Sequence, residues 1–164
     1  MYKCIVADPP WNETGGGKIK RGADRHYPLL KTPQIIEVMK NAEVWLPDES
    51  CHLWLWVTNN HLPDGLKVME ALGFRYVTNL CWAKDRFGIG QYLRGQHELC
   101  LFGVRGKTMM PEKRNVPSLV QVPRGEHSVK PNEAFGYIER VSPGPRLEMF
   151  SRGTREGWTT WGNE

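Results

Sequence analysis

The amino-acid sequence predicts an α/β protein with a mostly parallel central sheet and antiparallel strands at one side. Short apolar runs rich in strand-forming residues end at proline or polar residues, and segments of helical spacing lie between them. Such alternation of strands and helices is typical of a parallel sheet covered by helices. The 164 residues, 40% of them hydrophobic and 24% charged, suit one globular domain, which we expect to span residues 1–164.

The elements follow one another as this fold requires. A buried strand over residues 3–7 ends at Asp8-Pro9-Pro10, and Thr32 is the expected cap of the first helix. The later elements are strands at 51–57, 74–83, 99–104 and 146–150, and helices at 62–72 and after Pro131. The segments 12–25, 85–96 and 105–117 are glycine-rich or basic and are expected to form surface loops.

The composition excludes several classes of protein. No apolar run approaches the ~20 residues of a membrane-spanning helix, and the N-terminal residues do not form a secretory signal, so we expect a cytoplasmic protein without membrane contact. The four cysteines form no C-x-x-C pair, which favours reduced core residues over a disulfide framework or a metal site. A formal charge of +4 permits a polyanionic partner without requiring one.

Polar residues at the strand ends predict a ligand site. In open α/β sheets ligands bind beyond the carboxyl ends of the strands, so residues 8–11, 58–60 and 151–153 are expected to converge. A nucleotide hydrolase would need a phosphate loop of the form G-x-x-x-x-G-K-[ST]. Gly15-Gly16-Gly17-Lys18 is followed by Ile19, so the sequence does not support that class of enzyme.

The segment Asp8-Pro9-Pro10-Trp11 carries the most chemical information. Two successive prolines fix the backbone and remove two N–H donors, which leaves the Asp8 carboxylate and the carbonyls of Asp8 and Pro9 as oriented acceptors without a competing donor. Two acceptors beside the Trp11 indole suit a planar ring that bears an amino group, such as adenine or cytosine. A strand-ending turn with a capping aspartate is the alternative interpretation.

This tetrapeptide and several later segments, in matching order, resemble a known family. Asp8-Pro9-Pro10-Trp11 is the signature of the adenine-N6 methyltransferases related to the seventy-kilodalton catalytic subunit of the messenger-RNA adenosine methyltransferase, the MT-A family. Further similar segments are Leu-Trp-Leu-Trp-Val-Thr at 53–58, Trp-Ala-Lys at 82–84, Glu-Leu-Cys-Leu-Phe-Gly-Val-Arg-Gly at 98–106, and those at 128–131, 139–144 and 161–164. The compact chain resembles the bacterial or phage members.

The resemblance implies a Rossmann-like S-adenosylmethionine-dependent methyltransferase fold, with helices on both faces of the sheet and an antiparallel edge. The residues implied to be catalytic, because they hold the target adenine, are Asp8, Pro9, Pro10 and Trp11. Those implied to bind the cofactor S-adenosylmethionine are Asp8, Lys130, Phe150, Arg152, Asn163 and Glu164. Those implied on the substrate side are Tyr27, Trp56 and Trp82. Lys130 as a solvated residue at a helix start and Trp82 as a pure core residue are the alternatives.

The function that follows is methyl transfer to the exocyclic N6 amine of adenine in nucleic acid, and the likeness to bacterial and phage members favours DNA. Phosphate contacts are expected from the basic residues Lys18, Lys20 and Arg21. Transfer to RNA is one alternative. A non-catalytic nucleic-acid-binding partner subunit is another, although such a subunit has no physical need for the acceptors at Asp8 and Pro9. A homodimer or a complex with a partner subunit is compatible with each of these functions.

Overall fold

The structure, a computed structural model, describes residues 1–12, 30–125 and 129–162. Within these residues seven strands form one sheet, and three α-helices pack on it. The strands are β1 (Tyr2–Ala7), β2 (Pro47–Val57), β3 (Arg75–Ala83), β4 (His97–Arg105), β5 (Leu119–Gln121), β6 (Arg146–Met149) and β7 (Thr159–Trp161). The helices are α1 (Thr32–Asn41), α2 (Leu62–Ala71), which a 3-10 turn over Asn59–His61 precedes, and α3 (Asn132–Val141).

The sheet is mixed, with one strand reversed. Its order across the described residues is β5-β3-β4-β2-β1-β6-β7. β1 is parallel to β2 and β6, β6 to β7, and β3 to β5, whereas β4 is antiparallel to both β2 and β3. The prediction of a mostly parallel sheet is confirmed, but the antiparallel part is an internal strand and not an edge. Because β4 runs the other way, its first residues share one edge of the sheet with the last residues of the other strands.

Both faces of β1 are buried, which fixes the position of the residue that follows it. Ile5 and Ala7 pack in a core that α1 and α2 complete, and Cys4 and Val6 pack in a second core with α3. Each of these four side chains is at most 1% exposed. Helices therefore cover both faces of the sheet, as predicted. Asp8 follows the end of a strand that is held on two sides.

Most predicted elements are present, and the differences are local. The two short strands β5 and β7 were not predicted, and β2 begins upstream of the expected start, at Pro47. The expectation that Thr32 caps the first helix is wrong, because Thr32 is the first residue of α1. The N–H of Lys31 instead donates a hydrogen bond to the side-chain oxygen of Gln34 at 2.8 Å.

The segment 105–117 lies at the edge of the sheet opposite Asp8. Arg105 ends the reversed strand and pairs with Cys51 in the first half of β2, and the N–H of Lys107 donates to Ser50 Oγ at 3.2 Å. The segment 84–96 instead joins the end of β3 to the start of β4, at the edge where Asp8 lies. Of these two loops, the second is placed to share a site with Asp8.

The described residues contain no helix that is long and apolar enough to cross a membrane. All four cysteines lie in this part of the chain as free thiols. Cys4, Cys51 and Cys100 are buried, which confirms the prediction that they are core residues.

Candidate active site

Charged side chains from four parts of the chain meet where β1 ends. Asp8 follows β1, Lys84 follows β3, and Glu98 is the second residue of the reversed β4. Lys130 lies just before α3. The reversal of β4 is what brings Glu98 to this edge, since a parallel strand would place its first residues at the far side of the sheet.

These four side chains form a chain of alternating charge. Lys130 Nζ lies 2.9 Å from Glu98 Oε2 and 3.6 Å from Asp8 Oδ2, and Lys84 Nζ lies 3.3 Å from Glu98 Oε1. The Lys130 side chain is only 10% exposed, and its ammonium lies 5.3 Å from the centre of the Trp56 ring. The alternative of Lys130 as a solvated residue is therefore wrong. An ammonium has three N–H donors, so one remains for a further acceptor.

Burial and neighbouring charges shift the pKa values of Asp8, Glu98 and Lys130 in different directions. Burial raises the pKa of Asp8, and the attraction of Lys130 only partly opposes this. Burial also raises the pKa of Glu98, but Lys130 and Lys84 outweigh it, so the pKa lies below its ordinary value. Burial lowers the pKa of Lys130, but the two carboxylates outweigh it and the pKa is raised. Asp8 is thus the carboxylate whose charge is least compensated, and the one that gains most from an added hydrogen-bond donor.

The turn after β1 is fixed by backbone hydrogen bonds. The N–H of Asp8 donates to Met149 O at 3.4 Å, that of Trp11 to Pro9 O at 3.0 Å, and that of Leu30 to Pro10 O at 2.9 Å. The expectation that no donor competes for the Pro9 carbonyl is therefore wrong. A carbonyl oxygen has two lone pairs, so Pro9 O can still accept a second bond.

Trp11 anchors this turn and does not offer a free ring. Its side chain is 3% exposed, and its Nε1–H donates to the backbone carbonyl of Trp56 at 2.9 Å. The indole stacks on His61, with ring centres 5.3 Å apart and planes at 19°. The prediction that Trp11 covers the face of a bound base is wrong, because the face of its ring is already covered by protein.

A cleft beside Asp8 brings five of the predicted site residues together. These are Asp8, Trp56, Lys130, Phe150 and Arg152. Trp56 is 1% exposed, and its Nε1 has no hydrogen-bond partner among the described residues. A buried donor without a partner in a residue that lines a cleft is a feature that a ligand oxygen would satisfy.

Phe150 turns the chain from β6 into this cleft. Its φ of 62° is in the left-handed region, which costs a residue with a side chain about 1–2 kcal/mol. The ring is 6% exposed and packs edge-on against Trp161, with centres 5.4 Å apart. Strained backbone of this kind is concentrated at ligand sites, and here it aims residues 151–155 along the cleft wall.

Trp82 belongs to the core and not to the mouth of the cleft. It is 3% exposed, and its Nε1–H donates to Val122 O at 3.0 Å. Its ring meets Trp56 edge-on at 6.4 Å. The predicted substrate contact is therefore not supported for Trp82, and the alternative interpretation as a core residue describes it.

Four polar residues of this region were not predicted from the sequence. Glu98 and Lys84 belong to the charge chain, and His61 contacts Trp11. Glu148 lines the cleft on β6 and accepts a bond from Arg155 Nε at 3.0 Å. The signal for Glu98 was a lone charge at the start of an apolar strand, but its meaning depends on the direction of that strand. The predicted residues that lie outside the described part of the chain are Lys18, Lys20, Arg21, Tyr27, Asn163 and Glu164.

The sheet, its two helical layers and the polar cleft at the strand ends together define a Rossmann-like methyltransferase fold. The MT-A70 family model matches residues 2–164, and the chain belongs to the MT-A70 family. Methyltransferases of this family use S-adenosylmethionine.

Individual relatives match nearly the whole chain. It is 30% identical to the type II methyltransferase M.MunI of a Mycoplasma species, over 99% of this chain and 77% of the relative. It is 28% identical to the human N(6)-adenosine-methyltransferase catalytic subunit METTL3, over 99% of this chain and 28% of the relative. An N(6)-adenosine-methyltransferase MT-A70-like protein of Arabidopsis thaliana is 30% identical, over 99% of this chain and 24% of the relative. The chain thus spans about a quarter of the length of these eukaryotic relatives.

Proposed function

We propose that this chain transfers the methyl group of S-adenosylmethionine to the exocyclic N6 amine of adenine in nucleic acid. The nucleic acid that we propose as its substrate is DNA. The observation that carries the proposal is the poorly compensated Asp8 carboxylate, held on a fixed proline turn beside a polar cleft. One sheet takes strands from residue 2 to residue 161, which supports treating residues 1–164 as a single methyltransferase domain.

The residues of the cleft fit the methyl donor by their chemistry. The cofactor has a carboxylate, an ammonium, a ribose and an adenine ring. Lys130 and Arg152 supply cations for the carboxylate, Glu148 and Asp8 supply acceptors for the ammonium and the ribose hydroxyls, and Phe150 supplies an aromatic ring. When bound, the cofactor supplies a methyl carbon that its sulfonium makes electrophilic.

The chain's own residues act on the target amine. An exocyclic amine is a weak nucleophile because its lone pair is delocalised into the ring. The Asp8 carboxylate and the Pro9 carbonyl can each accept a hydrogen bond from one of its two N–H groups. This favours a tetrahedral nitrogen with its lone pair directed away from both acceptors. Positive charge develops on the nitrogen as it reacts, so these fixed acceptors stabilise the transition state more than the ground state.

Asp8 does not need to be a strong base. The N6 protons become acidic only as the nitrogen gains its positive charge, and the carboxylate already holds one of them by a hydrogen bond. Burial raises the pKa of Asp8, which brings its basicity closer to neutral pH than that of an ordinary carboxylate. The same group therefore orients the amine and accepts its proton.

DNA is the polymer we propose because the relative that this chain matches over most of its length is a type II methyltransferase. A target in a duplex must be flipped out of the stack, at a cost of a few kcal/mol, whereas an unpaired base needs less. The matches to N(6)-adenosine-methyltransferases keep RNA as the second candidate. A non-catalytic subunit would have no use for the only partly compensated charge at Asp8.

The test is a transfer assay with matched polymers. The purified chain is incubated with S-adenosylmethionine and with single-stranded DNA, duplex DNA and RNA of one sequence, and the nucleosides are identified by mass spectrometry. We expect N6-methyldeoxyadenosine to form faster than N6-methyladenosine, and Asp8→Asn to slow the formation of both by about 10²–10³-fold. Methylation of cytosine, or no transfer by a chain that binds the cofactor in a calorimeter, would refute the proposal.

A further inference from the structure

Arg155 joins two walls of the cleft. Its Nε–H donates to Glu148 Oε1 on β6 at 3.0 Å, and its Nη1 donates to the Oδ1 of Asn132, the first residue of α3, at 3.0 Å. The guanidinium also lies over the ring of Phe135, 3.6 Å from the ring centre. Because Glu148 belongs to the sheet and the other two residues belong to α3, one side chain links these two elements beside the cleft.

The Glu148 carboxylate keeps one oxygen for a ligand. Arg155 contacts Oε1, and among the described residues no hydrogen bond or ion pair is made to Oε2. The Glu148 side chain is 14% exposed and lines the cleft, so Oε2 is an acceptor for a group bound there. The planar guanidinium is fixed at Asn132 and Phe135 as well, so it restricts the rotation of the carboxylate that it holds.

Glu148 lies on the same face of the sheet as Asp8. In the parallel pairing of β1 with β6, Glu148 stands opposite Val6, whose side chain packs in the core that α3 completes. Asp8 comes two residues after Val6, so its side chain points to that face too, where it meets Lys130. The two carboxylates therefore lie on neighbouring strands, on the side of the sheet that α3 covers.

The amino-acid end of the methyl donor carries an ammonium and a carboxylate. Lys130 and Arg152 are the cations that suit its carboxylate, and Asp8 Oδ2 is shared with Lys130 at 3.6 Å. Glu148 Oε2 is the remaining carboxylate oxygen for the ammonium. A charge-assisted hydrogen bond to an ammonium is stronger than one to a neutral ribose hydroxyl, so the ammonium is the better partner for this oxygen.

We propose that Glu148 binds the ammonium of the methyl donor and that Arg155 is a positioning residue, which holds Glu148 Oε2 toward the cleft. The inference rests on the proposed function for the identity of this ligand. Arg155 does not touch the reacting methyl group. It acts through Glu148, because a carboxylate that is already oriented loses less conformational freedom when the ligand binds.

The test compares two nucleosides by calorimetry. S-adenosylhomocysteine has the amino-acid end, whereas 5′-methylthioadenosine keeps the adenine, ribose and sulfur without it. Arg155→Met retains an unbranched side chain over Phe135 and removes the guanidinium. We expect it to raise the Kd of S-adenosylhomocysteine about tenfold, the lower end of the cost of a charge-assisted hydrogen bond, and to change that of 5′-methylthioadenosine by less than about twofold. Equal losses for both nucleosides, or none for S-adenosylhomocysteine, would overturn the inference.

A double-mutant cycle tests whether Arg155 acts through Glu148. Glu148→Gln alone should weaken S-adenosylhomocysteine about tenfold, and adding Arg155→Met should cost at most about twofold more. Full addition of the two losses would contradict the positioning role. The matched control is Arg140→Met. Arg140 also lies on α3 beside an aromatic ring, 4.9 Å from the centre of Tyr137, but it does not line this cleft, so both affinities should stay at the wild-type value.

A milder variant decides the matter if Arg155→Met does not fold, as measured by circular dichroism. Asn132→Ala removes one attachment of the guanidinium and places a good helix former at the start of α3. It should weaken S-adenosylhomocysteine about threefold and leave 5′-methylthioadenosine unchanged, since only the orientation of Glu148 is relaxed. Wild-type affinity for both nucleosides would contradict the inference.

The outcomes separate this inference from the proposed function. A chain that shows the expected differences between the two nucleosides but methylates no adenine would refute the proposed function and support the role of Arg155. Transfer to adenine with unchanged nucleoside affinities in all these variants would refute the role of Arg155 alone.

Discussion

At the scale of single residues, Asp8 shows opposite demands of stability and function. Its pKa is raised by burial, so the folded chain holds the ionised form at a cost. The same partly compensated charge can accept a hydrogen bond from a target amine. Functional sites commonly keep such groups at the expense of stability.

We predict that Asp8→Asn lowers transfer by about 10²–10³-fold, the usual effect of removing one fixed transition-state contact. The melting temperature should be unchanged or higher, because the amide removes a charge that folding disfavours. Lys130 keeps its closer partner Glu98 in this variant, so its ammonium is not left without a carboxylate. Transfer within about threefold of the wild type would contradict the assignment of Asp8.

The wild-type enzyme should lose activity on the acid side because of the same carboxyl. Only the ionised form accepts an N6 hydrogen bond, and the pKa of Asp8 is raised, so activity should fall as the pH decreases through a value above that of an ordinary carboxyl. The free energy of unfolding has the opposite pH dependence. A carboxyl whose pKa is higher in the folded than in the unfolded chain destabilises the fold once it is ionised, and this penalty disappears as the pH falls.

Lys130→Met tests the centre of the charge chain. The loss of a charge-assisted contact to the cofactor carboxylate should weaken cofactor binding by about 1.5–3 kcal/mol. Without the ammonium between them, Asp8 and Glu98 repel each other, so the acid limb of the activity profile should move to higher pH. Lys84→Met is the matched control, since Lys84 pairs with Glu98 and has no contact with Asp8 within 4 Å. An unchanged cofactor titration curve for Lys130→Met would contradict the role of Lys130.

At the scale of elements, the buried strands can be predicted from the sequence, but their directions cannot. The run before Asp8 and the run at 51–57 are apolar on both faces, so their strands and the site at their ends could be predicted. The run at 99–104 does not indicate whether its strand is parallel or antiparallel to its neighbours. Neither the position of Glu98 nor that of the loop after Arg105 could therefore be derived from it. Strands of three residues, such as β5, leave no periodic signal.

The direction of β4 decides which loop can meet the substrate. The segment 84–96 stands at the Asp8 edge and is held as a hairpin by the bond from Gly88 N–H to Gly95 O at 2.8 Å. Its tip exposes Phe87 and Tyr92 fully or in large part, next to Arg86 and Arg94. Aromatic rings and cations on one loop suit the bases and phosphates of an unpaired strand.

We predict that Arg86→Ala with Arg94→Ala weakens nucleic-acid binding and lowers its dependence on salt concentration. Each lost phosphate contact should reduce the slope of log K against log[salt] by roughly 0.7–0.9. The matched control is Lys113→Ala with Arg114→Ala, a double substitution of equal charge in the loop at the opposite edge, which should leave the slope unchanged. Equal slopes for the two double variants would show that the direction of β4 does not determine the binding face. The separate prediction that Lys18, Lys20 and Arg21 contact phosphates stays a prediction, tested by the same measurement.

At the scale of the whole molecule, the central sheet and its cover use most of the described chain. The strands run from residue 2 to residue 161, and α1, α2 and α3 all contribute to the two cores. Base-specific reading of a duplex usually places a helix or a two-stranded ribbon in the major groove. Each of these three helices buries one face against the sheet, so none of them projects as a separate reading element.

The segment 84–96 is a described loop at the Asp8 edge, and its arginines and exposed rings suit backbone contact and stacking more than a fixed code of donors and acceptors. We therefore expect the monomeric chain to methylate adenine with at most one or two preferred flanking bases. Mapping of methylated positions on random-sequence DNA, with the oligomeric state measured at the same protein concentration, tests this. A fixed motif of four or more bases from a monomer would contradict it, whereas the same motif from a dimer would assign the added reading surface to the second copy.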